Sequence, residues 1–102
     1  MLDEDSTGTT IDGFTITNGS GEAYPHYSGG GITCDDASPT IDSVVIHHND
    51  TSYAGGGICC RDNAAPDIIN SILFENEADY YGGGIACYDS SPSLMNTTVS
   101  LN

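Results

Sequence analysis

The sequence GGGICCRD at residues 55–62 is found twice more in similar form, as GGGITCDD at residues 29–36 and GGGIACYD at residues 82–89. Successive copies are separated by 26 and then 27 residues. This unit is too short for two packed helices, and its apolar residues alternate with other residues as they do in β-strands. A unit of short strands cannot bury its own apolar face, but stacked copies can, so the repeat predicts a solenoid.

Other positions return with the same period and extend the unit. A proline follows each glycine segment, a large aliphatic residue comes two positions later, and a three-residue strand pattern precedes an asparagine. These positions are Pro39, Pro66 and Pro92; Ile41, Ile68 and Leu94; and Asn49, Asn76 and Asn102. The stretch with Ile11, Phe14 and Ile16 plays the same part at the N-terminal end. We predict an all-β protein with three short strands in each unit.

The predicted architecture is a parallel β-helix, or β-solenoid, of about three and a half coils that climbs about 4.8 Å per coil. A lead-in at residues 1–9 precedes a single repeat domain at residues 10–102. The coils span about 10–39, 40–66 and 67–92, with a partial coil at 93–102. No capping helix is evident near either terminus. We therefore expect a segment of a longer β-helix, or a chain that stacks end to end on itself or on a partner.

The pattern GGGI-x-C-x-D, S-P-x-I and F-x-I-x-N resembles the repeats of the pectin-lyase-like superfamily. Its Gly-Gly-x-Ile and x-x-Asn elements are also similar to the repeat of polymorphic outer-membrane proteins. The resemblance implies a right-handed parallel β-helix and an extracellular or cell-surface location. It does not imply one activity, because the superfamily includes lyases, hydrolases, adhesins and inert stalks.

Charge and composition exclude several classes of function. The 102 residues include 15 acidic side chains and one basic side chain, which gives a formal net charge of −14. This charge repels phosphate, so we expect no nucleic acid partner. No apolar run approaches the roughly 18 residues of a membrane-spanning helix, so we expect no membrane span. The length corresponds to one domain.

In a solenoid, each repeated position forms a column along the axis, and the apolar columns predict the core. One inward column pairs isoleucines with cysteines two residues later, and two further columns are aliphatic. The members are Ile32, Ile58 and Ile85 with Cys34, Cys60 and Cys87; Ile41, Ile68 and Leu94; and Ile16, Ile46, Leu73 and Val99. The cysteines are interpreted as buried thiols rather than as disulfides or zinc ligands, because three in a line neither pair completely nor surround a metal. Cys59 is predicted to face outward as a candidate for an intermolecular disulfide.

Two polar columns lie at the predicted turns. Asp36, Asp62 and Asp89 are suited to hydrogen-bonding the turn backbone, and their clustered oxygens also make them candidate calcium ligands. We expect no other cofactor. Asn49, Asn76 and Asn102 are predicted to form a ladder of stacked amides at a second turn.

Aromatic and apolar residues form two candidate binding surfaces. Tyr27, Tyr53 and Tyr80 each stand two residues before a glycine triplet, with Tyr24, Tyr81 and Tyr88 nearby. They are expected either to stack on one another or to present flat faces to sugar rings. Val45, Ile72 and Phe74 are predicted to form an outward apolar patch, which is a candidate interface.

The sequence favours a non-catalytic protein. It has no lysine, and its single basic residue, Arg61, is isolated among acidic residues, unlike the basic catalytic residue of related polysaccharide lyases. Asp12 and Asp42 align on consecutive coils, but apolar residues occupy the next two. The pair His47-His48 has no nucleophile placed beside it by any motif. We therefore expect a structural or adhesive segment that self-assembles; the alternative is a polysaccharide-binding or polysaccharide-active β-helix fragment.

Overall fold

The computed structural model describes residues 8–21 and 29–102. In these ranges the chain forms short strands without a helix, and so includes no helix long and apolar enough to span a membrane. The strands are β1 (Thr10–Asp12), β2 (Thr15–Thr17), β3 (Ser20–Gly21), β4 (Ile32–Asp35), β5 (Thr40–Asp42), β6 (Val45–His47), β7 (Asp50–Thr51), β8 (Ile58–Arg61), β9 (Asp67–Ile69), β10 (Ile72–Phe74), β11 (Glu77–Ala78), β12 (Ile85–Tyr88), β13 (Ser93–Met95) and β14 (Thr98–Ser100).

The strands pair only with their counterparts one repeat away. They form four sheets with the orders β1-β5-β9-β13, β2-β6-β10-β14, β3-β7-β11 and β4-β8-β12, and the pairs are parallel. The register matches the sequence repeat, since Ile11, Ile41, Ile68 and Leu94 lie in one column. The prediction of an all-β parallel solenoid is confirmed, with about three turns.

The coil contains one more strand than the three predicted from the sequence. The additional strands, β3, β7 and β11, each contain two residues and follow the turn that carries the asparagine column. Two residues are too few to show the alternation by which a strand is recognised in a sequence. Each complete coil therefore has four strands.

The core lies inside the middle coils. The fully buried members of the predicted columns are Cys34, Ile41, Ile46, Ile58, Cys60, Ile68 and Leu73. Val44 lies with them in the same cluster. Because inward and outward positions alternate along each strand, a strand contributes at most two side chains to this core, and β3, β7 and β11 contribute none.

Several residues predicted to belong to the core are accessible at the C-terminal end of the stack. Leu94 and Val99 are 45% and 43% exposed, Cys87 is exposed and Ile85 is half-buried. Their register with the buried residues below them is as predicted, but no described strand pairs with the far side of β12, β13 or β14. Burial in a solenoid requires a neighbour on both sides, so this last rung of the predicted core columns is accessible.

The predicted amide ladder is a continuous chain of hydrogen bonds. Asn49 Nδ2 donates to Asn76 Oδ1 and Asn76 Nδ2 donates to Asn102 Oδ1, each over 3.0 Å. The same oxygens accept backbone bonds from the N–H groups of Asn49 and Asn76. Asn49 and Asn76 are buried, so these contacts satisfy polar groups that water does not reach.

A left-handed backbone conformation recurs at the turns. Asp36, Asp62 and Asp89 have φ values of 52°, 53° and 48°, immediately after β4, β8 and β12. Aspartate and asparagine adopt this conformation more readily than most residues. The aspartates of this column therefore form the turns that follow β4, β8 and β12.

Candidate functional site

The site is centred on the outer face of the sheet that contains β4, β8 and β12. Asp35, Arg61 and Tyr88 occupy one outward column, because each is the last residue of its strand. The Arg61 guanidinium lies 3.1 Å from Asp35 Oδ2, and both side chains are largely shielded from solvent. In this column Arg61 lies between Asp35 and Tyr88.

The segment between β7 and β8, residues 52–57, covers the other outward column of this sheet. Its backbone passes so close that a Cβ added at Gly55 would lie 2.8 Å from Cys59 Cβ. As a result Cys59 is only 1% exposed, and burial raises the pKa of its thiol. The prediction that Cys59 is presented at the surface for an intermolecular disulfide is wrong.

The same segment carries Tyr53, the centre of a cluster of tyrosines. The Tyr53 ring centroid lies 6.0 Å from that of Tyr80, 6.3 Å from Tyr81 and 6.2 Å from Tyr88. Tyr80 and Tyr81 are 69% and 62% exposed. Tyr53 and Tyr80 are neighbours, as the repeat predicts, whereas Tyr27 lies outside the described residues. The structure adds Tyr81 and Tyr88 as direct contacts of Tyr53.

Two clefts adjoin at Tyr88. One has a volume of about 290 Å³ and is lined by Tyr53, Arg61, Asp62 and Tyr88; we call it the tyrosine cleft. The other has a volume of about 360 Å³, and its lining includes Tyr81, Cys87 and Tyr88. Burial, followed by the proximity of Tyr53, raises the pKa of Tyr88 to about 12. The Tyr88 hydroxyl is therefore protonated at neutral pH and is able to donate or accept a hydrogen bond.

The aspartate column was also a candidate calcium site. Asp36, Asp62 and Asp89 are all exposed at their turns. Within residues 8–21 and 29–102, no group of three or more histidine, cysteine or acidic side chains is placed to hold a metal ion. The calcium interpretation stays a prediction, and of the three aspartates it is Asp62 that lines the tyrosine cleft.

The four cysteines are free thiols, and three of them are buried. Cys34 and Cys60 stack in the core, where the hydrogen bond to Cys34 and burial raise the pKa of Cys60. Burial also raises the pKa of Cys87, although its hydrogen bond with Cys60 acts in the opposite direction. Cys87 differs from the others because its side chain is accessible at the last rung.

Thiol labelling of the native chain tests this arrangement. With iodoacetamide under native conditions, at a protein concentration where the chain is monomeric, we expect one alkylated cysteine, Cys87, whereas denatured chain should accept four labels. The Cys87→Ser variant should then show almost no native labelling. Labelling of Cys59 at the rate of Cys87 would contradict the covered position given to Cys59. The readout is peptide mass spectrometry over a time course.

The remaining candidate residues lie on other faces. Asp12 and Asp42 are in register, and Ile69 and Met95 continue their column, so no third carboxylate joins them there. His48 Nε2 lies 2.7 Å from Glu75 Oε2 at an exposed turn. None of these residues lines either of the two clefts at Tyr88.

The predicted apolar patch has an aromatic pair at its edge. Ile72 is exposed, whereas Val45 and Phe74 are half-buried. The Phe74 ring is stacked on His47 with centroids 4.9 Å apart and an interplanar angle of 2°. The exposed apolar area of the patch is therefore smaller than the sequence predicts, because only Ile72 of the three is exposed.

Compared with known proteins, the chain matches no family model, no curated protein and no solved structure. The parallel solenoid is therefore established by the register of its strands alone.

Proposed function

We propose that this chain is a non-catalytic structural or adhesive segment of a secreted or surface-associated β-helix protein, and that it associates end to end. The observation that carries the proposal is the apolar last rung, with Leu94 and Val99 exposed beside unpaired strand edges. The repeat's resemblance to the pectin-lyase-like superfamily and to polymorphic outer-membrane proteins supports the secreted or surface-associated location.

In two of the four sheets, the ends of the stack are complementary in pattern. At the first rung, Ile11 and Ile16 are half-buried, and they belong to the same columns as Leu94 and Val99. Strands β1 and β2 of one copy therefore have the length and side-chain order needed to pair on β13 and β14 of another. Such pairing would satisfy edge backbone groups and cover the apolar side chains in one step.

Light scattering at increasing protein concentration tests the proposal. We expect the mass of the wild-type chain to rise above 10.6 kDa, and Val99→Asp to keep it at the monomer value because a carboxylate would be buried in the contact. Thr98→Asp, which adds the same charge at an outward position of β14, should associate like the wild type. A wild-type mass that stays monomeric at every concentration would contradict end-to-end association; a dependence on added calcium would direct attention to the aspartate column.

A second candidate function is carbohydrate binding. It is favoured by the solvent exposure of Tyr80 and Tyr81 beside a cleft that contains both aromatic and charged side chains. Aromatic surfaces combined with a few placed polar groups are typical of small-ligand sites. This candidate does not compete with association, because the cleft lies on the side of the solenoid.

A further inference from the structure

We propose that the tyrosine cleft binds a neutral, hydroxyl-rich polysaccharide through one or two sugar rings. The inference rests on the carbohydrate-binding candidate above and gives it a site and a ligand class. The site differs from the column of Tyr27, Tyr53 and Tyr80 suggested by the repeat, because the structure joins Tyr53 to Tyr88, Arg61 and Asp62 instead.

The aromatic wall supplies the apolar part of the site. The Tyr53 and Tyr88 rings are stacked, with centroids 6.2 Å apart and an interplanar angle of 25°, and both line the cleft, which gives it an aromatic surface. The C–H face of a sugar ring packs well on such a surface, where burial of apolar area drives association. The cleft volume of about 290 Å³ lies near the lower end of the range of small-ligand pockets.

Charged groups beside the rings supply the polar part. Arg61 is a donor, and its position is held by the ion pair with Asp35. Asp62 is an acceptor that follows Arg61 directly at the turn. Sugar hydroxyls donate and accept at once, so a donor and an acceptor side by side match them better than either charge alone.

Electrostatics disfavour anionic ligands. The formal net charge of −14 repels uronates and sulfated sugars. Arg61, the only basic side chain apart from histidines, does not reverse this, because its ion pair with Asp35 is neutral as a unit. A neutral polysaccharide meets no such repulsion, and its recognition depends on stacking and hydrogen bonds.

Titration calorimetry with a defined set of oligosaccharides tests the proposal. The probes are hexamers of neutral β-glucans, xylan and mannan, an oligogalacturonate as the anionic probe and a chitosan hexamer as the cationic probe. We expect at least one neutral hexamer to bind, and Tyr88→Ala to weaken its affinity tenfold or more. Tyr88→Phe keeps the ring and should lose only a few-fold, while Phe14→Ala, which removes an exposed aromatic side chain that lines neither cleft, should bind like the wild type.

The other outcomes would overturn the ligand class, the site or carbohydrate binding itself. Binding of only the charged probes would overturn the neutral ligand class and leave a carbohydrate-binding protein. Neutral binding that survives Tyr88→Ala would overturn the site. No binding by any probe would overturn both the site and the carbohydrate-binding candidate. Circular dichroism of each variant checks that the solenoid is folded, and Tyr88→Phe keeps the test valid where the alanine variant is unfolded.

Discussion

Replacing Gly56 with alanine should lower the free energy of unfolding by about 3 kcal/mol or more, or prevent folding. A Cβ at this position would lie 2.3 Å from Glu77 O, 2.6 Å from Gly83 O and 2.7 Å from Glu77 N. All three atoms belong to the backbone, so no side-chain rotation relieves the clash. The glycine triplets are therefore required where one coil packs against the backbone of the next.

A glycine at another turn gives the matched control. Gly13 has a φ of 76°, and a Cβ there would have no neighbour within 4 Å. Asparagine tolerates this conformation, and Asn70 and Asn96 occupy the corresponding turn in later coils. We expect Gly13→Asn to change stability by less than about 1 kcal/mol in urea denaturation. A Gly56→Ala variant as stable as the wild type would show that neighbouring coils are not in the close contact described here.

The second large effect is expected when Asn76 is replaced with alanine, with a loss of about 3–5 kcal/mol. Asn76 Oδ1 accepts bonds from the backbone N–H and the Nδ2 of Asn49, and its Nδ2 donates to Ile46 O and Asn102 Oδ1. Alanine would leave several of these groups buried without a partner. The cost of such groups exceeds the ordinary net value of one hydrogen bond.

Asn102 provides the comparison for Asn76 within the same ladder. It is exposed at the last rung, so water is able to replace the bonds that Asn102→Ala removes. We expect that variant to lose about 1 kcal/mol. Equal losses in the two variants would contradict the claim that burial makes the amide ladder stabilising. Thermal and urea denaturation followed by circular dichroism measure both values.

The sequence predicts the columns of the solenoid well because each column is one repeated position. For this reason the sequence correctly predicts that Ile58 and Cys60 are buried and that Asn76 hydrogen-bonds to Asn49 and Asn102. Exposure is less predictable, since it depends on what covers each column. Cys59 faces away from the coil interior yet is buried, because residues 52–57 pass over it. The path of that segment is not encoded in strand periodicity, so the sequence does not predict this burial.

The candidate cleft was predictable in part. Asp35, Arg61 and Tyr88 occupy one repeat position, so their stacking follows from the alignment of the three glycine segments. This alignment is present in the sequence, but the tyrosines before the glycine triplets form the more regular aromatic pattern. The stacking of Tyr53 on Tyr88 was not predictable, because it depends on the conformation of an irregular segment between strands.

The central claim is that copies of this solenoid join along its axis, and small-angle X-ray scattering of the associated form tests it most directly. Axial association predicts that the length of the particle grows with mass while the radius of gyration of its cross-section stays that of a single chain. Growth of the cross-section would instead indicate side-by-side contact through Val45, Ile72 and Phe74, and would contradict end-to-end assembly.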